Sequence, residues 1–194
     1  MRRMRSISNE KHSAEIVQLV RADPWLMGLL ETARSIGLAH WCIAAGAVRN
    51  LVWDHLHGHD TRTYPSDVDV PFYDCVRTDS SYEAEIERRL SAVRSDVRWE
   101  AVNQATVHLY TKDPCPYASI EEAMSRWADP VTAVGVCLTD TDQLTVIAPC
   151  GLDDLFSMIV RPNLVAPDAA RVYRERVLSK GWRARWPKLK IILP

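Results

Sequence analysis

The sequence has almost no net charge, with 24 Lys and Arg against 25 Asp and Glu, a formal balance of -1. That balance gives no general electrostatic reason to expect a nucleic-acid binder, although basic residues gather at both ends of the chain. Paired cysteines are missing as well. Cys42, Cys75, Cys115, Cys137 and Cys150 are odd in number and never in C-x-x-C spacing. Neither a disulfide framework nor a zinc site is expected, and cytoplasmic residence is the default. Cys42 and Cys137 sit in apolar strand patterns, where a reduced cysteine behaves as a small hydrophobe. No stretch approaches the roughly 18 apolar residues of a membrane span, so no membrane partner is expected. The basic start, MRRMRSISNEK, lacks the apolar segment of a secretory signal. Internal repeats and low-complexity linkers are absent.

What remains is an ordinary globular composition, 47% hydrophobic and 25% charged over 194 residues. That length buries a sizeable core without staples and fits a single domain over 1–194. Its expected parts are a helical prelude over 1–37, a core over 38–150 and a helical extension over 151–194. In the prelude, Ser13 opens one helix with Ile16, Val17, Leu19 and Val20 as its apolar stripe. Asp23-Pro24 caps a second helix, and Gly37 closes it. Asp79 or Ser80 caps a charged helix whose buried side is Ile86 and Leu90. A strand over 97–102 continues, or turns at Asn103-Gln104, into 105–110. Pro114 and Pro116 then break the chain, and Ser119-Ile-Glu-Glu is a capping box opening a helix that ends near Trp127. Segments 131–138 and 144–147 read as a hairpin around a polar turn. The whole is α/β (α+β), a mixed sheet of about five strands flanked by helices.

The stretch Trp41 to Asp74 carries the chemistry. A buried strand, Trp41 to Ala45, breaks at Gly46 into a helix beginning Ala47-Val48-Arg49. A polar loop follows, and a second strand then places Asp67 and Asp69 on one face, with Val68 and Val70 on the other. A helix N-terminus offers unpaired N–H groups and a positive dipole end to phosphate. Two carboxylates on one strand face repel unless a cation sits between them, and their hard oxygens suit Mg²⁺. This is the layout of a site for a nucleoside triphosphate and its metals. A solvated strand edge is the plainer alternative for the acidic pair taken alone.

These motifs resemble the DNA polymerase β-like nucleotidyltransferase superfamily. G46-A-V-R49-N followed by S66-D-V-D69-V is similar to the head domains of CCA-adding enzymes and bacterial poly(A) polymerases. The longer strings A-A-G-A-V-R-N-x-V-W-D, D-V-D-V, W99-E-A-V-N-Q-A105 through His108, and A148-P-C-G-L-D-D-L-F156 resemble a small bacterial nucleotidyltransferase family of similar length. The resemblance runs from Trp41 to Pro187 and brings no established substrate with it. It implies that Gly46 and the Ala47 backbone cradle the triphosphate and that Arg49 pairs with a phosphate. It also implies that Asp67 and Asp69 hold Mg²⁺, with Mn²⁺ as a substitute, and that a third carboxylate completes the metal site and serves as base. Glu100 is the candidate for that third group, and Asp74 the second choice.

Asn103, Gln104 and His108 lie beside Glu100, where the two amides suit a base or ribose, with Asn103 assigned to the nucleotide; a bulge of satisfied side chains is an equal reading, and His108 reads as a hydrogen-bonded structural histidine. The superfamily usually has serine where this chain has Ala47. The interval from Gly46 to Asp67 is also long, and it contains His55, His57 and His59. Imidazoles there suit a transition metal, but carboxylates suit Mg²⁺ better. Asp153 and Asp154 open a helix, where they complement its dipole. Trp182 and Trp186 read as core or lid, and the neighbouring Arg183, Arg185, Lys188 and Lys190 leave RNA binding open. The expected function is transfer of a nucleoside monophosphate from an NTP to a hydroxyl on a small molecule, protein or RNA. The alternative is a catalytically inactive nucleotide- or RNA-binding module. Oligomeric state is not readable from the sequence.

Overall fold

The computed structural model describes residues 2–111, 113, 115–165 and 168–193; Pro114, one of the expected breaks, lies outside them. The chain runs α1 (Arg2–Arg21), α2 (Pro24–Ser35), β1 (Ile43–Ala44), α3 (Gly46–His57), β2 (Val68–Phe72), α4 (Ser80–Val93), β3 (Trp99–Asn103), α5 (His108–Thr111) and α6 (Ile120–Met124). It continues through β4 (Gly135–Leu138), β5 (Leu144–Ile147), α7 (Asp153–Phe156), β6 (Ile159–Val160), α8 (Ala169–Lys180), α9 (Trp182–Arg185) and β7 (Lys190–Ile191).

The central layer is a mixed sheet. β2 and β3 are parallel, joined across α4, while β1–β4 and β4–β5 are antiparallel. The residues ahead of β1 link the two groups. Trp41 bridges Phe72, Cys42 N–H donates to Pro71 O at 3.1 Å, and Tyr73 N–H donates to His40 O at 3.0 Å. The order is therefore β3-β2-β1-β4-β5, the mixed α/β arrangement that the hydrophobic pattern predicts. β6 and β7 form a separate short parallel pair. Among the described residues no helix is long and apolar enough to cross a membrane.

Local chemistry explains most boundaries. Asp23 accepts Leu26 N–H at 2.8 Å and Pro24 takes the first helical position, so α2 starts where expected. Gly37, at φ 66, follows its end. Three expectations shift. Ser13 is interior to α1, which is a continuous 20-residue helix. The segment expected as strand over 105–110 is a turn and then α5, because Asn103 Oδ1 accepts Ala105 N–H and its carbonyl accepts from Thr106. The hairpin is present, but its first strand begins only at Gly135.

A tryptophan cluster joins the tail to the sheet. Trp53, Trp182 and Trp186 are all buried, with edge-on ring separations of 5.7 and 5.1 Å from Trp53. Beneath them, the buried Asp54 carboxylate accepts from Trp186 Nε1 at 2.8 Å, Thr63 N–H at 2.6 Å and Thr63 Oγ1 at 2.9 Å. Arg62 of the same loop donates to Ala47 O at 2.8 Å and pairs with Asp23 at 2.5 Å. One carboxylate thus fastens the loop before β2 and the tail to α3. At the other end, Asn9 Oδ1 accepts Leu152 N–H at 3.0 Å, Ser8 Oγ donates to Asp153 at 2.8 Å, and His12 stacks on Phe156 at 4.1 Å. Asp154 pairs with Arg161 at 2.7 Å. The G-L-D-D-L-F motif is therefore an anchor for α1.

Trp186 supplies both apolar volume and a hydrogen bond. Trp186→Ala is expected to cost about 3–5 kcal/mol. Trp186→Phe, which keeps most of the volume but unpairs one bond to Asp54, is expected to cost about 1–3 kcal/mol. Urea unfolding of both variants checks the order; a Trp186→Phe variant as stable as the wild type would mean that the bond contributes nothing.

Candidate active site

Strand alternation builds the acidic face. Val68 and Val70 are buried beneath β2, leaving Asp67 and Asp69 on the opposite side. The parallel register sets Asp69 directly beside Glu100 of β3. Burial is the largest influence on all three carboxyls and pushes each upward. Asp69 is raised further by the charge of Asp67, with Arg176, Arg49 and Lys180 opposing. Glu100 is raised further by a hydrogen bond with Asp67 and by both neighbouring charges. At Asp67 the upward push of burial is outweighed by the Ser66 hydroxyl, which donates at 2.8 Å, and by the Glu100 contact, so the net direction is down. The two partners are thus shifted in opposite directions, Asp67 toward its charged form and Glu100 away from it. All the donors are hard oxygens crowded into mutual repulsion, which fits a divalent cation. Even so, among the described residues no group of three or more His, Cys, Asp or Glu side chains is placed to hold a metal ion by itself.

The turn from β1 into α3 lies next to this face, and here the sequence reading needs a correction. The break is made by Ala45, at φ 50 and ψ -118, while Gly46 is already helical. Such a conformation costs an alanine on the order of 1–3 kcal/mol. Gly46 is needed for proximity: a Cβ there would stand 2.9 Å from Pro65 Cβ. Ala45 offers no side-chain cap, so the leading N–H groups of α3 have none. Gly46 and Ala47 are buried directly behind Ala45, which lines the adjoining cleft.

That cleft, about 420 Å³, runs from Asp69 and Ala45 past Trp127 and Asp129 to Arg126, Arg171 and Arg176. Arg49 stands behind its wall and is not open to a ligand, a second correction. The residue is 5% exposed, with its guanidinium 4.6 Å from the Trp182 ring and 5.1 Å from Trp53. It donates to Thr132 Oγ1 and Asn50 Oδ1, both at 3.0 Å. Burial pushes it down to about 10; Asp129 opposes that shift and Arg176 adds to it. It stays cationic. Arg176 reaches the cleft instead, its Nε 3.3 Å from the fully buried Asp129 carboxylate, whose other oxygen accepts Thr132 N–H at 2.8 Å. Asp129, Thr132 and Arg176 carried no sequence signal of their own. Asp129-Pro130 reads as a turn, and Arg176 is one charge among several on α8.

Other expected residues are placed elsewhere. Asn103 faces away from Glu100 by alternation. Its amide is spent on the carbonyls of Asp74 and Arg77 and the N–H groups of Asp74 and Ala105. This corrects its assignment to nucleotide binding. Gln104 instead stays beside Glu100, accepting from Trp127 Nε1 at 3.3 Å. His108 lies in α5, against Tyr117. Asp74 caps its own turn by accepting Arg77 and Val76 N–H, and those bonds hold its carboxyl below the usual range. The three histidines have separate partners: Glu15 for His55, Trp53 O and Lys188 N for His57, Asp54 for His59. Trp182 and Trp186 are core, while Arg183, Arg185, Lys188 and Lys190 are exposed.

A solved structure described as revealing a CCA-adding enzyme head domain matches with a TM-score of 0.81 at 29% identity, covering 93% of this chain and 96% of that one. A CCA-adding enzyme in complex with CTP matches at TM-score 0.58 and 14% identity, over 93% of this chain and 43% of that one. A tRNA nucleotidyltransferase complexed with a primer tRNA and an incoming ATP analog matches at 0.52 and 20%, over 84% and 46%. This chain spans less than half of the latter two, and at those identities the likeness concerns the fold alone. No curated protein matches the sequence. The family model described as Nucleotidyltransferase matches residues 31–191, from within α2 through β7, and the chain belongs to that family.

Proposed function

We propose that this nucleotidyltransferase moves a nucleoside monophosphate from an NTP to an acceptor hydroxyl, releasing pyrophosphate, with Mg²⁺ or Mn²⁺ as cofactor. The observation that carries this reading is the cluster of Asp67, Asp69 and Glu100 carboxyls, of which Asp69 lines one end of a cleft whose far wall is arginine. Mg²⁺ usually takes one or two carboxylates and completes its shell with water and substrate phosphate, so a full protein cage is not needed. Asp67 and Asp69 would hold it, with Glu100 beside them; bound there, it would neutralise charge on the reacting phosphate.

The residues of the chain supply the rest. The uncapped first turn of α3 at Gly46 and Ala47 directs N–H groups and its dipole toward phosphate. Arg176, held by Asp129, supplies a positive charge at the cleft wall, and the buried Arg49 adds a fixed one behind it. Glu100 takes the proton of the attacking hydroxyl as the oxygen bonds to the α-phosphorus and pyrophosphate departs. Catalysis on this plan is positioning and charge neutralisation.

Asp67→Asn and Asp69→Asn are each expected to lower transfer by about a thousandfold or more, with the fold retained. The assay is α-³²P transfer with Mg²⁺; near wild-type turnover in both variants would overturn the assignment. NTP binding without turnover in the wild type would favour the inactive module.

Stability should move the other way. Asp69 is raised in the folded state, so the native protein binds more protons than the unfolded chain between the two values. Its destabilising effect is absent at acid pH, sets in above the unfolded value and is complete above the folded one. Asp69→Asn should therefore match or exceed the wild-type melting temperature at neutral pH, with the difference vanishing on acidification. Thermal melts across pH without metal check the sign.

A further inference from the structure

Asp69 and Trp127 line two cavities that differ in character. Glu100 lines the smaller, about 180 Å³. The larger holds Arg126, Arg171 and Arg176, with Asp129, Thr132 and Ala45. In-line displacement needs the attacking and leaving oxygens on opposite sides of the phosphorus. With the α-phosphate at Asp69 and the hydroxyl proton passing to Glu100, the hydroxyl arrives from the smaller side. Pyrophosphate then leaves into the larger.

Thr132 stands on that leaving side. Its segment runs beside the start of α3, where Ala45 N–H donates to Val134 O at 2.9 Å and Val134 N–H to Thr132 O at 2.8 Å. The first turn there, Gly46, Ala47 and Val48, has no polar side chain, so it offers a phosphate N–H groups only. Thr132 is 5% exposed, and its Oγ1 accepts from Arg49 Nη1 at 3.0 Å and from Arg176 Nη2 at 3.5 Å. A hydroxyl oxygen has two acceptor positions and one hydrogen. Guanidinium takes both positions, and among the described residues no group accepts the hydrogen. The groups around it are incompletely paired as well. Arg49 Nε, Arg176 Nε and Asp129 Oδ2 are buried without a hydrogen bond, the last two facing each other at 3.3 Å. Donors left over in a buried cationic cluster suit an anion with several oxygens.

We propose that Thr132 binds the leaving group: its hydroxyl donates to the part of the triphosphate that departs as pyrophosphate, between Arg176 and the first turn of α3. This rests on the nucleotidyl-transfer reading above. The acceptor oxygen bonds to the α-phosphorus and its proton passes to Glu100. The bond from that phosphorus to the bridging oxygen breaks, and its electron pair goes to pyrophosphate. Thr132 and Arg176 meet the charge where it gathers.

The test titrates wild type, Thr132→Val and Thr132→Ser with tripolyphosphate in Mg²⁺, a probe that carries no base or sugar. Thr132→Val should bind it about tenfold or more weakly, the loss of one hydrogen bond to a charged acceptor, and Thr132→Ser should stay within about threefold of wild type. Transfer of α-³²P label from NTPs into a cell extract should fall with the valine and return with the serine. Thr132→Val also removes an oxygen that holds Arg176, so the pair is repeated in an Arg176→Lys background, where that bond is gone. A loss that persists there marks direct contact; a loss that vanishes would mean that Thr132 acts only through Arg176, and would overturn the proposal. Thr132→Ala replaces the valine variant if the latter does not fold. Wild-type affinity in Thr132→Val, equal losses in Val and Ser, or wild-type transfer without tripolyphosphate binding would overturn the proposal and leave nucleotidyl transfer standing. No transfer by the wild type to anything in the extract would overturn both readings.

Discussion

Electrostatic repulsion on one sheet face organises the region around it. Parallel pairing of β2 with β3 is favourable for the backbone, yet it sets Glu100 beside Asp69, two residues from Asp67. Charges in that crowd are tolerable only with compensation. The chain supplies it at graded depth. Arg49 is enclosed between indoles, Arg176 is half-open on the cleft, and Lys180 is exposed nearby. The opposite shifts of Asp67, down, and Glu100, up, answer the same crowding.

The geometry around this face depends on groups that never touch it. Asp54 ties the loop before β2 to the tail, Arg62 ties that loop to Ala47, and Pro65 presses on Gly46. The strain at Ala45 persists because these contacts, with Ala45 N–H donating to Val134 O at 2.9 Å, hold the turn from several sides. The histidines His55, His57 and His59 invite a metal reading, but two lie in α3, and the loop that follows acts as a strap.

Much of the fold is legible in the sequence because it rests on local rules. Period-two alternation marks β2 and the hairpin, Asp23-Pro24 and Gly37 bracket α2, and Ser119 caps α6 by accepting Glu122 N–H at 3.2 Å. The acidic face is legible for the same reason, since alternation alone puts Asp67 and Asp69 together. What is hidden depends on long-range contact. Asp129 and Arg176 become partners only when α8 folds over the cleft, and nothing in either neighbourhood announces the other. Asn103 suggests a ligand group by its nearness to Glu100 in sequence, although alternation over three residues of β3 puts it on the other face. Arg49 sits in a motif that suggests exposure, and only the tail tryptophan shows that it is enclosed.

The bond between Asp54 and Trp186 joins residues 132 apart in the chain, and Arg176 and Trp182 reach the site from the same late segment. Contacts of such separation are the slow ones to form, because the intervening chain must be ordered first. During synthesis the acidic strands are made long before the residues that enclose Arg49 and line the cleft. A ribosome-bound chain that has emerged only through β5 carries the carboxylates and Arg49 but not Arg176, Lys180 or the indole of Trp182. The cleft, on this architecture, is completed only by the last quarter of the chain.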